Sequence, residues 1–191
     1  QVEAIILACI EARKQGITVV PEIEKPIIAN VNEMKILRDL AEKVISQYRA
    51  QIDFDYKIGS MLELPRACIT ADKIAEYSDF FSFGTNDLTQ TTYGISRDDV
   101  GKFINVYIEK GIVERDPSES IDIEGVGELL KMGVSRARSI KPDMDIGICG
   151  EHGGDPSSVE FCHRIGLNYV SCSPYRVVAA RVAAGRAAIE N

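Results

Sequence analysis

Two carboxylates in this sequence are spaced as ligands of a divalent cation would be. Glu63 follows the strand-like run KIGSML, and Asp87 follows FFSFGTN, 24 positions further along the chain. One strand–helix repeat separates them, so neighbouring strands of a parallel sheet would bring both acids to one edge. Paired carboxylates are costly unless a positive charge lies between them, and Mg²⁺ prefers hard oxygen ligands. The spacing predicts a magnesium site at Glu63 and Asp87, with helix caps or loop acids as the alternative.

The residues directly before Asp87 are suited to binding an anion. Gly84, Thr85 and Asn86 form a short polar run that can present backbone N–H groups and small side chains to a substrate. An ordinary turn is the alternative interpretation. We therefore treat Gly84, Thr85, Asn86 and Asp87 together as a candidate substrate-binding motif.

Cys149 is the candidate for proton transfer. It ends the strand-like run DIGIC and is followed by GEHGG. A thiol beside flexible glycines can act as an acid or a base, although a buried core cysteine is the alternative. A zinc site made with His152, Cys162 and His163 is not expected, because adjacent residues of a helix point about 100° apart.

The elements that must position these residues alternate between strand and helix. After a helix at 2–15, we expect strands at 17–20 (continuing into 21–23), 56–63, 79–84, 145–150 and 169–173. The expected helices between and after them are 32–49, 66–77, 124–140, 157–165 and 174–189, and 85–122 is expected to be mostly loop with short helical pieces. Such alternation predicts an α/β fold with a parallel sheet, whose active site lies at the carboxyl ends of the strands.

Length and composition restrict the possible classes. The 191 residues form one predicted domain, 1–191, and fall short of the roughly 250 residues of a complete (β/α)8 barrel. About five strand–helix units predict an incomplete TIM-type barrel. A net charge of −7 argues against nucleic-acid partners, and no apolar run is long enough to span a membrane. Five scattered cysteines indicate reduced thiols and a cytoplasmic location.

Two long segments carry a resemblance to a known family. FFSFGTNDLTQTTYGISRDDVGK (80–102) and GICGEHGGDPSSVEFCHRIGLNYVSCSPYR (147–176) are similar to the C-terminal barrel of the phosphoenolpyruvate-utilising enzymes. SRDDVGKF and EHGGDPSS resemble the pyruvate phosphate dikinase branch, and the resemblance covers essentially the whole chain. The expected fold is therefore the C-terminal part of the barrel that binds phosphoenolpyruvate (PEP) and pyruvate.

The resemblance implies an activity and a set of roles. The dikinases interconvert ATP, pyruvate and phosphate with AMP, PEP and diphosphate, using Mg²⁺ and a phosphohistidine on a separate domain. By this resemblance Glu63 and Asp87 hold the metal and, with Gly84, Thr85 and Asn86, bind substrate, while Cys149 is the acid/base group. Neither His152 nor His163 matches the phosphocarrier. His152 is instead a candidate for ordering the loop beside Cys149.

Some features depart from the family or limit the expected activity. Glu24 and Lys25 stand where relatives carry an apolar pair, which we expect to disturb or expose that strand. The family's phosphate-binding arginines lie on earlier strands, so this chain alone is not expected to catalyse the full reaction. Open sheet edges favour self-association, and a homo-oligomer is expected. A magnesium-dependent lyase or aldolase acting on a pyruvate enolate, or a non-catalytic fragment, are the alternatives.

Overall fold

A computed structural model describes residues 1–190 as a five-stranded, all-parallel sheet packed against helices. Its strands are β1 (Glu22–Lys25), β2 (Lys57–Leu62), β3 (Phe80–Gly84), β4 (Asp145–Cys149) and β5 (Tyr169–Val170). Each strand pairs with its neighbours in sequence, in the order β1-β2-β3-β4-β5. This order is that of one arc of an α/β barrel, so the predicted fold class, an incomplete TIM-type barrel, is confirmed.

Helices connect the strands and cover one face of the sheet. They are α1 (Val2–Lys14), α2 (Val31–Ser46), α3 (Pro65–Ile69), α4 (Ala71–Ala75), α5 (Thr85–Tyr93), α6 (Arg97–Val100), α7 (Ile104–Glu109), α8 (Val126–Ile140), α9 (Pro156–Arg164) and α10 (Val177–Glu190). Short 3₁₀ turns lie at Arg49–Gln51, Glu151–Gly154 and Pro174–Arg176. Within residues 1–190, no helix combines the length and apolar character needed to cross a membrane.

The core lies between the sheet and these helices. Alternate strand residues such as Ile58, Phe81 and Ile146 are fully buried there, as period-2 alternation requires. The other strand residues form the inner face of the open barrel. There Gly147 leaves room for the Tyr169 ring, which lies 2.4 Å from where a Cβ on Gly147 would be. The inner face is therefore filled by side chains that cross from strand to strand.

The first predicted strand was misplaced. The β-branched run at 17–20 is not in a strand, and Val20 is 58% exposed. The strand begins at Glu22, in register with Lys57 of β2, and the Lys57 N–H donates to the Pro21 carbonyl at 2.9 Å. Pairing with β2, rather than β-propensity, sets where the strand starts.

Three other boundaries differ for local reasons. The helix predicted at 66–77 is two helices, broken at Thr70, whose hydroxyl donates to the Arg66 carbonyl and competes with the helical ladder. Asn30, not Asn32, caps α2, and it forms a capping box with Glu33. The last strand contains only two of its five predicted residues.

Opposite charges are paired at the amino ends of the strands. Lys57 Nζ lies 3.0 Å from a carboxylate oxygen of Glu22 on β1 and 2.8 Å from one of Asp145 on β4. Hydrogen bonds to these two acids, Asp145 first, raise the pKa of Lys57 to about 12. Lys57 of β2 thus pairs with one acid on the neighbouring strand β1 and with another on β4, two strands away.

Candidate active site

The two predicted metal ligands lie together at the carboxyl edge. Glu63 directly follows β2 and is 3% exposed, while Asp87 lies in the first turn of α5 after β3. Burial raises the pKa of Glu63, and contact with the Asp87 carboxylate raises it further, against the opposing effect of the Ile27 N–H. A buried acid whose charge is further disfavoured by a neighbouring carboxylate is a place that a cation would stabilise.

The Glu63 carboxylate is held by a strained backbone. Its Oε1 atom accepts a hydrogen bond of 2.6 Å from the Ile27 N–H. Ile27 has a φ of +53°, a conformation that β-branched residues rarely adopt. Strain of this kind persists only where surrounding structure imposes it, and it concentrates at functional sites. Ile27 was not among the residues predicted from sequence, because no sequence signal marks a left-handed isoleucine.

Asp87 is held by the helix that carries it. Gln90 Nε2 donates to Asp87 Oδ1 at 3.0 Å, and the Gln90 Oε1 accepts from the Arg97 N–H at 2.8 Å. Gln90 thus ties the Asp87 carboxylate to the start of α6. Partners of this kind orient metal-ligating carboxylates and tune their affinity.

The polar motif before Asp87 interlocks with the segment after β4. Gly84 pairs with Cys149 in the sheet register, and the Thr85 hydroxyl lies 3.0 Å from the Cys149 carbonyl oxygen. The Asn86 Oδ1 accepts from the Glu151 N–H at 3.2 Å. Gly150, between these contacts, has a φ of +114°, and a Cβ there would lie 2.8 Å from Thr85 Oγ1. The candidate substrate motif and the candidate acid/base group therefore form one structural unit.

The surroundings of Cys149 disfavour the loss of its thiol proton. Burial raises the pKa of its thiol, and the charges of Glu24, Glu63 and Asp87 raise it further, while the Ser82 hydroxyl opposes this. The thiol is therefore protonated at neutral pH. The acids that raise its pKa include both predicted metal ligands, so a bound cation would shift the balance toward the thiolate.

Glu24 is a site residue whose role the sequence did not reveal. The charged pair at 24–25 was expected to disturb or expose its strand, yet both residues lie within β1 and are half-buried. One carboxylate oxygen of Glu24, Oε1, is buried without a hydrogen-bond partner. Burial raises the pKa of Glu24 to about 7, with the Ser82 hydroxyl opposing and Glu63 and Glu22 adding to the shift. Its departure from the family pattern was the available signal.

Three of the other cysteines lie away from the candidate site. Cys68 and Cys162 are buried in the core, and Cys9 is partly exposed on α1. Among residues 1–190, no three His, Cys, Asp or Glu side chains are grouped as a metal site. Glu63 and Asp87 would thus supply two ligands and leave the other positions to substrate oxygens and water, as is common for Mg²⁺.

Comparison with known proteins identifies the family. Residues 1–189 match the family described as PEP-utilising enzyme, PEP-binding domain. The chain is 52% identical to pyruvate, phosphate dikinase of Clostridium symbiosum over 100% of its own length and 22% of that protein's. It is 54% identical to pyruvate, phosphate dikinase of Giardia intestinalis, again over 100% of this chain and 22% of the relative. The chain therefore spans about a fifth of the length of these relatives.

A solved structure supports the architecture. A citrate lyase from Burkholderia xenovorans superposes with a TM-score of 0.57 at 15% identity, covering 85% of this chain and 48% of that one. At this identity the likeness concerns the fold alone. The sequence match over nearly the whole chain carries the assignment: this chain belongs to the PEP-utilising enzyme family, as its PEP-binding domain.

Proposed function

We propose that the chain is the pyruvate- and PEP-binding part of a pyruvate, phosphate dikinase. That enzyme converts ATP, pyruvate and phosphate into AMP, PEP and diphosphate. The observation that carries the proposal is the meeting of Glu63, Asp87 and the Cys149 thiol at one edge of the sheet. The identity of 52% to 54% with dikinases over the same residues supports it.

Glu63 and Asp87 would hold Mg²⁺. The fit rests on the burial of Glu63 and on its contact with the Asp87 carboxylate, both of which raise the pKa of Glu63. When bound, Mg²⁺ would supply positive charge for the pyruvate oxygens, one of which gains negative charge when the methyl group loses a proton. Gln90 would keep the Asp87 carboxylate oriented toward the ion.

The other site residues would bind substrate and move a proton. The motif from Gly84 to Asn86 offers a backbone and short polar side chains for the substrate carboxylate. The Cys149 Sγ would return a proton to the methylene carbon of PEP when pyruvate forms, and remove it in the opposite direction. The phosphoryl group would come from a phosphohistidine on a separate domain when PEP forms, and it would return to that histidine when pyruvate forms.

The dikinase proposal fits the site better than a lyase or an aldolase does. The citrate lyase likeness concerns the fold alone. An aldolase would leave the position of Cys149, beside both carboxylates, without a role. The proposal also includes a cytoplasmic location, which the five free cysteines support.

Magnesium-dependent oxalate binding tests the site, because oxalate mimics the pyruvate enolate. We expect calorimetry on the 191-residue chain to show oxalate binding with Mg²⁺ and none with EDTA. Asp87→Ala should abolish it, while Asp98→Ala, at an exposed acid of α6, should not. Oxalate binding that is unaffected by Asp87→Ala would refute the metal assignment and favour a non-catalytic fragment.

Cys149 is tested separately by exchange of the pyruvate methyl protons with D₂O, followed by proton NMR. Cys149→Ala should retain oxalate binding and lose magnesium-dependent exchange, whereas Cys172→Ala should retain both. Equal exchange in Cys149→Ala and the parent chain would remove Cys149 from the proposed role. Full dikinase turnover by this chain alone would contradict the placement of the phosphocarrier elsewhere.

A further inference from the structure

His152 is fully buried and joins two distant parts of the chain. Its side chain is 0% exposed. Its Nδ1 atom lies 2.7 Å from Thr85 Oγ1, and its Nε2 atom lies 2.9 Å from the Pro117 carbonyl oxygen. Thr85 belongs to the candidate substrate motif, and Pro117 belongs to the segment of residues 94–125 between α5 and α8. One imidazole therefore contacts both.

The partners determine the protonation of the ring. The Pro117 carbonyl only accepts, so Nε2 must carry hydrogen. Burial lowers the pKa of His152, against smaller opposing effects of Pro117 and Asp155, and favours a neutral ring. Nδ1 is then an acceptor, so the single hydrogen of the Thr85 hydroxyl is shared between Nδ1, 2.7 Å away, and the Cys149 carbonyl oxygen, 3.0 Å away.

A second set of contacts joins the segment that contains Pro117 to the residues that follow His152. The Ser120 hydroxyl donates to Asp155 Oδ2 at 3.1 Å, and the Ser158 hydroxyl accepts from the Ile121 N–H at 3.0 Å. Asp155 also caps α9 through the Ser158 N–H. The stretch 117–121 thus rests on the chain that follows Cys149, with His152 as its contact nearest the site.

We propose that His152 is a positioning residue that couples segment 94–125 to the Thr85 hydroxyl, acting as the neutral Nε2–H tautomer. The ring influences the direction in which the Thr85 O–H bond points. Because the same ring donates a hydrogen bond to the Pro117 carbonyl, a shift of segment 94–125 would move the ring and with it the Thr85 hydroxyl. The coupling stands on the contacts alone, whereas its effect on a ligand rests on the proposed function.

The tautomer is tested in the unmodified chain. The sequence has two histidines, so a long-range ¹H–¹⁵N spectrum contains two imidazole patterns, and His163→Gln assigns them. We expect the His152 pattern to be that of a fixed Nε2–H ring between pH 6 and 8. An Nδ1–H pattern, or a ring that averages between tautomers, would overturn the proposal even if no variant folds.

Two variants separate the two contacts. In His152→Asn the amide reaches only the Nδ1 position, toward Thr85, and in His152→Gln it reaches the Nε2 position, toward Pro117. We expect His152→Asn to speed hydrogen exchange of the 118–121 amides about tenfold, the effect of losing one buried hydrogen bond. His152→Gln should leave that exchange near the parent value, and so should the exposed control His163→Gln. Unchanged exchange in His152→Asn would refute the coupling.

The effect on the site is measured as magnesium-dependent oxalate affinity. Both His152→Gln and His152→Asn should weaken it several-fold, because each breaks one half of the coupling, and His163→Gln should not. If the parent chain binds no oxalate, the proposed function fails while the exchange and tautomer results still decide the coupling. If the parent binds and both variants bind equally well, the coupling does not reach the site.

Discussion

Gly84 lies so close to Glu63 that any side chain at position 84 would force Glu63 to move. A Cβ built on Gly84 would come within 2.6 Å of Glu63 Oε2 and 2.7 Å of Met61 Sδ. The φ of Gly84 is −80°, which any residue adopts, so the glycine is required by close approach and not by backbone conformation. The first residue of the candidate substrate motif thus sets the place of a candidate metal ligand.

Gly84→Ala should therefore displace the Glu63 carboxylate. We expect at least a tenfold loss of Mg²⁺ or Mn²⁺ affinity, as is typical when the support of a ligand is removed. Metal titration followed by Mn²⁺ EPR measures it. Gly101→Ala is the matched control, because a Cβ there meets nothing within 4 Å. Equal losses in both variants would show that Gly84 has no special relation to Glu63.

Gln90→Ala should weaken the same site without altering its charge. The variant loses the 3.0 Å hydrogen bond from Gln90 Nε2 to Asp87 Oδ1, so the carboxylate becomes free to rotate. We expect metal affinity to fall about tenfold. Gln15→Ala, at an exposed glutamine of the α1 cap, is the control. Unchanged affinity in Gln90→Ala would mean that the carboxylate is oriented by other contacts.

Glu24 should make stability depend on pH. Its folded pKa of about 7 exceeds the ordinary value of 4.5, so its contribution to stability is greatest below pH 4.5 and is lost as pH rises to 7. Glu24→Gln should thus be more stable than the parent at pH 8, by on the order of 1–2 kcal/mol after discounting for residual exposure. The difference should vanish near pH 4.5.

Urea unfolding at the two pH values measures this effect, and Glu109→Gln, at an exposed acid, provides the control. A Glu24→Gln variant that is less stable than the parent at pH 8 would show that the carboxylate has found a partner in solution.

The open sheet should cause self-association. β1 and β5 are each paired on one side only, and nearby helices leave apolar side chains exposed, including Ile36 and Leu40 on α2 and Val178 and Val182 on α10. We expect light scattering at tens of micromolar to give masses that are multiples of 21.0 kDa. Leu40→Lys should lower the average mass if the chains associate through α2, and Val182→Lys should lower it if they associate through α10. A monomer at these concentrations would contradict the prediction.

The order of elements was predictable because each strand and helix carries its own periodicity. Segments such as FFSFG and DIGIC are apolar enough to read as buried parallel strands without tertiary information. The boundaries of the elements were not predictable, because they depend on contacts with other parts of the chain. The register of Glu22 with Lys57 starts β1, and the Thr70 hydroxyl breaks a helix that propensity alone would continue.

The same distinction holds for the candidate site, where some residues could be chosen from the sequence and others could not. Glu63, Asp87 and Cys149 could be chosen from sequence because the carboxyl ends of parallel strands meet at one edge. Ile27 and the two contacts of His152 could not be predicted, since they are relations between segments 35 to 67 residues apart. Gln90 lies only three residues from Asp87, and this helical spacing was a signal in the sequence that could have marked it. Their residue types are ordinary, and only their contacts give them roles.

At the amino ends of the strands, opposite charges lie together, since Lys57 pairs with Glu22 and Asp145. At the carboxyl ends, by contrast, like charges lie together, which is a local conflict within the folded structure. Glu24, Glu63 and Asp87 each disfavour ionisation of the groups around them. Any ligand that relieves this conflict binds the folded chain in preference to the unfolded one. Free magnesium should therefore stabilise the folded protein, raising its midpoint of thermal unfolding before any substrate is present.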